Sequence, residues 1–224
     1  MTQIFRLTGR EPIISIEAKK SKEGLGQTKK MPYLCANFSK SRMKEVTCEG
    51  HTFVPYISRD QIDARIKELG KQIVCDYAGK APLFICVLNG AFPFASDLFR
   101  AAEGIDAQIT FIRLKSYAGM GSTGTIKEVI GLQEDVKGRN VIVIEDIIDT
   151  GHTIAHLLRG LKEKGAADIK VASLLFKPEA LEEPDVNPDY VGFSIPKKFI
   201  IGFGLDLNEK ARDLNDIYVL KDQA

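Results

Sequence analysis

Residues 141–153 read VIVIEDIIDTGHT, and this stretch restricts the fold more than any other. Val141 to Ile144 are consecutive aliphatics with no polar face. They predict a strand covered on both sides, as in a parallel sheet. Glu145 and Asp146 end the run, Asp149 follows two more aliphatics, and Thr150-Gly151-His152-Thr153 makes a turn. Beyond it Ile154, Leu157, Leu158 and Leu161 recur at helical spacing. A helix is therefore predicted from about Thr153 to Lys164, stopped by Gly165.

The rest of the chain repeats this alternation. Ser58-Arg59-Asp60-Gln61 has the form of a capping box, and Ile62, Ile66, Leu69 and Ile73 follow on one helical face to about Tyr77. Pro82 to Leu88 is a second buried strand, ended by Asn89-Gly90, with a helix expected from near Pro93 to Ala102. Ile109–Leu114 and Val171–Phe176 read as further strands. Strands alternating with helices predict an α/β fold with a parallel sheet and right-handed crossovers. Ligands of such sheets sit beyond the carboxyl ends of the strands. Four places qualify: Asn89-Gly90, the segment after Leu114, Glu145–Thr153, and Lys177. The segment KSYAGMGSTGTIKEV, residues 115–129, has three glycines and no core pattern. It reads equally as a mobile lid or as an ordinary exposed hairpin loop.

Composition excludes several classes. The 224 residues carry 31 Lys and Arg against 30 Asp and Glu, a net charge of +1, so no global field for nucleic acid or membrane is indicated. No stretch approaches the roughly 18 uninterrupted apolar residues of a membrane span. Cys35, Cys48, Cys75 and Cys86 lack CxxC spacing, and nothing resembles a secretory signal, so free thiols in a reducing, cytoplasmic setting are expected. Residues 1–42 differ from the rest, with nine Lys and Arg against three acids. The stretch SKEGLGQTKKMP has no apolar periodicity and reads as disordered. A dispensable extension fits it better than an organelle-targeting peptide, because it is Lys-rich and lacks amphipathic regularity. The folded domain is expected over 43–224.

The chemistry of VIVIEDIIDTGHT follows from its order. A strand feeding a glycine turn and a helix N-terminus presents unpaired N–H groups to an anion, and Thr150 and Thr153 add hydroxyl donors. A phosphate fits at Asp149–Thr153. Carboxylates cannot hold a phosphate, but they accept hydrogen bonds from hydroxyls and recruit Mg2+. Glu145 and Asp146 therefore suit the two hydroxyls of a ribose, and the expected ligand is a ribose phosphate. Neither GxxxxGK[ST] nor GxGxxG spacing is present. His152 and His156 have metal-ligand spacing, but no third ligand is suggested, so surface or phosphate-proximal histidines are the better reading.

These 13 residues resemble the ribose-phosphate signature of type I phosphoribosyltransferases, and EDIIDTG is most like the hypoxanthine-guanine members. The resemblance continues through KSY at 115–117, STG at 122–124, ASLLFK at 172–177 and VGFSIPKKFIIGFGLDLNEKARDLNDI at 191–217. It implies a parallel-sheet core with a small hood from the N- and C-terminal segments, the latter from about 190 to 224. It implies that Glu145 and Asp146 hold the ribose hydroxyls and that Asp149, Thr150, Gly151, His152 and Thr153 wrap the 5-phosphate. Asp149 would be the general base toward the attacking purine nitrogen, its pKa raised by crowding with two other carboxylates. Lys177 would donate to the purine 6-oxo group, Phe199 would stack on the base, and the Ile200 backbone would read its edge. Asp206 would ligate Mg2+ on the pyrophosphate, with Glu145 and Asp146 also on the metal side. Arg212 would grip the pyrophosphate as a bidentate donor. Ser116 and Tyr117 would belong to a lid that excludes water from an oxocarbenium-like transition state. The pyrophosphate loop departs from relatives with Leu-Lys-Gly-Gly. Here it is Leu88-Asn89-Gly90-Ala91, which keeps close backbone approach at Asn89 and Gly90, places the family's cis peptide at Leu88–Asn89, and removes a lysine contact.

The implied reaction joins a 6-oxopurine to phosphoribosyl pyrophosphate, in a homodimer or homotetramer. A regulator of the same fold that binds RNA or DNA would need a basic face. Residues 43–224 hold 22 Lys and Arg against 27 acids, which counts against it. A xanthine or pyrimidine enzyme is a closer rival, and Lys177 with the Phe199-Ile200 hood favours a 6-oxopurine.

Overall fold

A computed structural model describes residues 44–117 and 125–223. The basic extension 1–42 and the STG of 122–124 lie outside the described residues. The chain opens with a hairpin of β1 (Val46–Cys48) and β2 (His51–Ile57), then α1 (Arg59–Asp76). β3 (Leu83–Leu88), α2 (Phe92–Ala101), β4 (Gln108–Tyr117), β5 (Thr125–Ile130), β6 (Asn140–Ile148), α3 (His152–Glu163), β7 (Asp168–Phe176) and β8 (Tyr190–Ser194) follow. β9 (Ile200–Ile201) and β10 (Ile217–Leu220) complete the order.

Six strands form one sheet in the order β5-β4-β3-β6-β7-β8. All neighbours pair in parallel except β5, which runs antiparallel along the β4 edge. Successive β3 residues point to opposite faces. Phe84 and Cys86 join the layer with Ile62, Ile66, Leu69 and Ile73 of α1 and Phe94 and Leu98 of α2. Leu83, Ile85 and Val87 join the layer with Ile154, Leu157 and Leu161 of α3. Helices cover both faces, so a polar residue on either face of β3 would be buried, which explains its unbroken apolar run.

Local signals set the helix ends. The Ser58 hydroxyl accepts from the Gln61 N–H at 3.3 Å, and the Gln61 side chain accepts from the Ser58 N–H at 2.9 Å, the reciprocal capping box. α2 starts with proline in its first turn. α3 starts after Gly151, whose φ of +88° favours glycine.

The strands extend further than the apolar runs. β6 continues through Glu145 and Asp146 to Ile148, because its ladder with β7 persists at Glu145↔Ser173, Ile147↔Leu175 and Ile148↔Phe176. The acids thus lie on the strand rather than past its end. β4 runs to Tyr117 and pairs with β5, so the glycine-rich segment joins two paired strands, with Ser116 opposite Ile126 and Tyr117 opposite Thr125.

A second sheet, β1-β2-β10-β9, joins the two ends of the described chain. Phe53, Ile201 and Tyr218 form its own buried cluster. This is the hood expected from terminal segments, with one correction. The segment from 190 begins in the core, because Tyr190–Ser194 pairs with β7, and the hood strands start only at Ile200.

Candidate active site

The carboxyl ends of β3, β6 and β7 meet under the hood. β6 delivers Glu145 and Asp146, and both are buried. Burial, and then the Asp146 charge, push the Glu145 carboxyl well above its ordinary value. Burial also raises Asp146, partly offset by hydrogen bonds, first from the Glu145 side chain and then from the Ile147 N–H, and last by the positive charge of Arg212. Asp146 Oδ1 accepts from the Ile147 N–H at 3.0 Å. Glu145 Oε2 is buried without a hydrogen-bond partner. A buried acceptor without a partner suits a ligand hydroxyl or cation.

The crowding expected at Asp149 falls instead on this acid pair. Asp149 is half exposed, and Lys177 Nζ donates to its Oδ2 at 2.8 Å. Lys177 itself is buried, placed at the end of β7 by its N–H bond to Ile148 O at 2.9 Å. It is not the solvated lysine that its place before Pro178 allows.

Three cavities surround these groups. One of about 230 Å³ is lined by Asp146, Asp149, Lys177, Phe199, Ile200 and Asp206, with Ile147 and Leu205. Residues from 146 to 206 thus converge as the sequence expects. The second, about 120 Å³, is lined by Glu145, Asp149, Thr150, Gly151, Thr153 and the aliphatics between and beyond them. It lies at the N-terminus of α3, which lacks a side-chain cap, so its first N–H groups have no helical partner. Asp149 and Ile147 line both cavities. A third, about 380 Å³, holds Asn89, Arg212, Arg59, Phe203 and Gly204 among its walls.

The turn after β3 carries a cis peptide at Leu88–Asn89, where the resemblance puts one. Gly90 packs so closely on β6 that a Cβ there would stand 1.7 Å from Asp146 Oδ2. The hood loop presses on the same turn, since a Cβ on Gly204 would lie 2.0 Å from Gly90 O. Only glycine allows these backbones such approach.

Two sequence expectations change. His152 does not line the cleft with its ring. Its Nδ1 lies 2.7 Å from Glu183 Oε1 and its Nε2 2.9 Å from Glu182 Oε2, and these carboxylates, Glu183 first, raise its pKa. What His152 can offer an anion is its backbone N–H. Arg212 is bidentate toward its own loop: Nη1 donates to Gly204 O at 2.7 Å and Nη2 to Asp206 Oδ1 at 2.7 Å.

Sequence reasoning missed Arg59 and Glu209. Arg59 lies over the Phe203 ring at 4.8 Å and pairs with Asp97 at 2.6 Å, and its N–H donates to Asp216. It ties hood to core. No motif marks either residue. The Asn208-Glu209 pair before Arg212 was the one available hint of a tight turn.

Comparison with known proteins agrees with this geometry. The phosphoribosyl transferase domain family matches residues 58–208. A hypoxanthine-guanine phosphoribosyltransferase of Streptococcus thermophilus (strain CNRZ 1066) is 42% identical over 167 residues, covering 74% of this chain and 92% of the relative. A crystal structure of a hypoxanthine-guanine phosphoribosyltransferase from Bacillus anthracis superposes with a TM-score of 0.68 at 36% identity, covering 79% of this chain and 97% of that one. A Trypanosoma cruzi hypoxanthine phosphoribosyl transferase gives a TM-score of 0.70 at 33% identity, covering 75% and 91%. Buried acid pair, phosphate turn, cis-peptide loop and hood therefore have one common explanation: the chain belongs to the phosphoribosyltransferase family, among its hypoxanthine-guanine members.

Proposed function

We propose that this enzyme transfers the phosphoribosyl group of phosphoribosyl pyrophosphate to hypoxanthine or guanine, giving IMP or GMP and pyrophosphate. The observation that carries the reading is the pair of adjoining cavities sharing Asp149. One is walled by Lys177, Phe199 and Ile200, the other by an uncapped helix N-terminus and two threonines. A purine base fits the first, where Phe199 offers a face for stacking and Lys177 a donor for a 6-oxo group. The 5-phosphate fits the second.

The acid pair faces the sugar between them. Glu145 Oε2, buried and unpartnered, accepts a ribose hydroxyl. In the reaction the purine nitrogen bonds to the anomeric carbon as the bond to the pyrophosphate oxygen breaks. Asp149 takes the nitrogen's proton, and pyrophosphate leaves with the electron pair. The Lys177–Asp149 ion pair must open first. Lys177 turning to the 6-oxo group frees Asp149 as base, so base recognition and base activation are one movement. Asn89, Gly90 and Arg212 would serve the leaving group, and Ser116 and Tyr117, at the end of β4, would belong to the lid.

The donors present suit Mg2+. Glu145 has a free buried oxygen, Asp146 is beside it, and Asp206 lies at the hood. Among the described residues too few carboxylates gather for an all-protein cage, which fits an ion bound largely through substrate phosphates. When bound, Mg2+ neutralises charge on the leaving pyrophosphate.

We further place the enzyme in the cytoplasm as a homodimer or homotetramer. Free Cys48, Cys75 and Cys86 support a reducing compartment. Phe92, Ile130, Val129 and Phe111 are large apolar side chains left exposed, of the kind that subunit contacts cover. The test of function offers hypoxanthine, guanine, xanthine, adenine and uracil separately with phosphoribosyl pyrophosphate and Mg2+. Turnover of hypoxanthine or guanine is expected. Activity on xanthine or uracil alone would overturn the base-site assignment. Binding without turnover would favour a regulator.

A further inference from the structure

The hood loop places an acidic side chain on the leaving-group side of the site. Leu207 and Lys210 bridge each other, and Asn208 and Glu209 take φ of +53° and +63°, so the chain reverses sharply. The Glu209 N–H closes this turn by donating to Asp206 Oδ2 at 2.7 Å. The Glu209 carboxylate is not needed for the turn. Instead Arg212 Nη2 donates to its Oε2 at 2.9 Å, and this bond first, with a small contribution from the nearby Asn89 side chain, holds the Glu209 carboxyl below its ordinary value. Asn89 and Arg212 line the same cavity of about 380 Å³. Arg212 Nη2 also holds Asp206 Oδ1 and its Nη1 donates to Gly204 O, while its Nε is buried without a partner. An anion entering between Asn89 and Arg212 meets donors that Glu209 already holds.

We propose that Glu209 is an internal counter-anion, which competes with the pyrophosphate moiety for Arg212 and Asn89 and takes them back as pyrophosphate leaves. The inference rests on the reading that phosphoribosyl pyrophosphate binds here. Before binding, Glu209 is the second carboxylate, beside Asp206, on a guanidinium that also carries a buried unpaired N–H. During binding it is displaced, because a multiply charged pyrophosphate is the stronger acceptor. The displacement lowers affinity for substrate and product alike, and it speeds product departure. The rival role is a simple clip, in which the Arg212–Glu209 pair shapes the loop and holds Arg212 ready.

Glu209→Gln separates the two, since it keeps the backbone turn and a hydrogen-bonding side chain while removing the charge. Its carboxylate is largely exposed, so the fold tolerates the change. A counter-anion predicts that KM for phosphoribosyl pyrophosphate falls about two- to fivefold, the scale of a partly exposed ion pair. KM for the purine stays unchanged, and magnesium pyrophosphate titrated calorimetrically into the enzyme binds tighter by the same factor. Glu209→Ala moves the same constants in the same direction. A raised KM for phosphoribosyl pyrophosphate would establish the clip and overturn the proposal, as would unchanged constants in both variants. If wild-type enzyme neither turns over any base nor binds magnesium pyrophosphate, the functional reading falls too. An active wild type with unaffected variants sinks this inference alone.

Discussion

Gly90→Ala probes the joint between the pyrophosphate turn and the acid pair. The new Cβ would stand 1.7 Å from Asp146 Oδ2 and 2.6 Å from its carboxyl carbon. Asp146 is buried and its other oxygen already accepts from the Ile147 N–H, so the carboxylate has no free rotation that avoids the clash. Overpacking of this kind costs about 1–3 kcal/mol. For a domain of this size that lowers Tm by roughly 2–12 °C. On the proposed reading a displaced Asp146 would also lose a ribose hydroxyl, and a hydrogen bond to a charged group is worth about 1.5–3 kcal/mol. At about 1.4 kcal/mol per tenfold, kcat/KM for phosphoribosyl pyrophosphate falls about ten- to a hundredfold. The assay is initial-rate nucleotide formation at saturating purine, alongside thermal denaturation followed by circular dichroism. Gly160→Ala is the internal control. It lies within α3 with open space within 4 Å of where the new methyl would stand and no positive φ, so the same substitution should stabilise by about 0.5–1 kcal/mol and leave kinetics alone. If Gly90→Ala keeps kcat/KM within about twofold of wild type, the close approach is not what holds Asp146 and the reasoning fails.

Other consequences are simpler. Asp149→Asn should fold normally and lose about 10²–10⁴-fold in kcat if the carboxylate is the base, so near-normal turnover removes it from that role. Lys177→Met should lower kcat/KM for the purine by about ten- to a hundredfold through one lost charged donor, while KM for phosphoribosyl pyrophosphate stays put; a loss shared equally by both substrates would argue against base recognition. Ser58→Ala removes the capping box and should cost about 1 kcal/mol in thermal denaturation with activity unchanged. His152 has a folded pKa raised by Glu183 and Glu182, so its contribution is fully present below its ordinary value of 6.5 and lost as pH rises through the raised value. The Tm difference between wild type and His152→Asn should therefore shrink across that interval, and a difference independent of pH would refute the ion-pair account.

Most of the fold was legible because its signals are local. The apolar run of β3 marks a strand covered twice, and the Ser58–Gln61 box marks where α1 begins. Gly151 marks where α3 begins. Each depends on residues within one turn or one strand, where period and capping act. Strand ends were less legible. β6 keeps its ladder past Glu145 because backbone pairing with β7 does not require an apolar side chain. Tyr190–Ser194 joins the core sheet by pairing with β7, a long-range neighbour that no local signal names, although the resemblance implies a hood beginning near 190.

VIVIEDIIDTGHT by itself determined the acid pair, the phosphate turn and the helix beyond it, since all thirteen residues act within one strand-turn-helix unit. Only the tertiary structure decided what meets them. Lys177 reaches Asp149 because β7 lies beside β6, Gly90 touches Asp146 because β3 lies on the other side, and Glu209 reaches Asn89 because the hood folds back over both. These partners are separated by 28 to 120 residues. Hydrophobic period records which face of an element is buried, but not which neighbour buries it, and the charged contacts of the site depend on the neighbour.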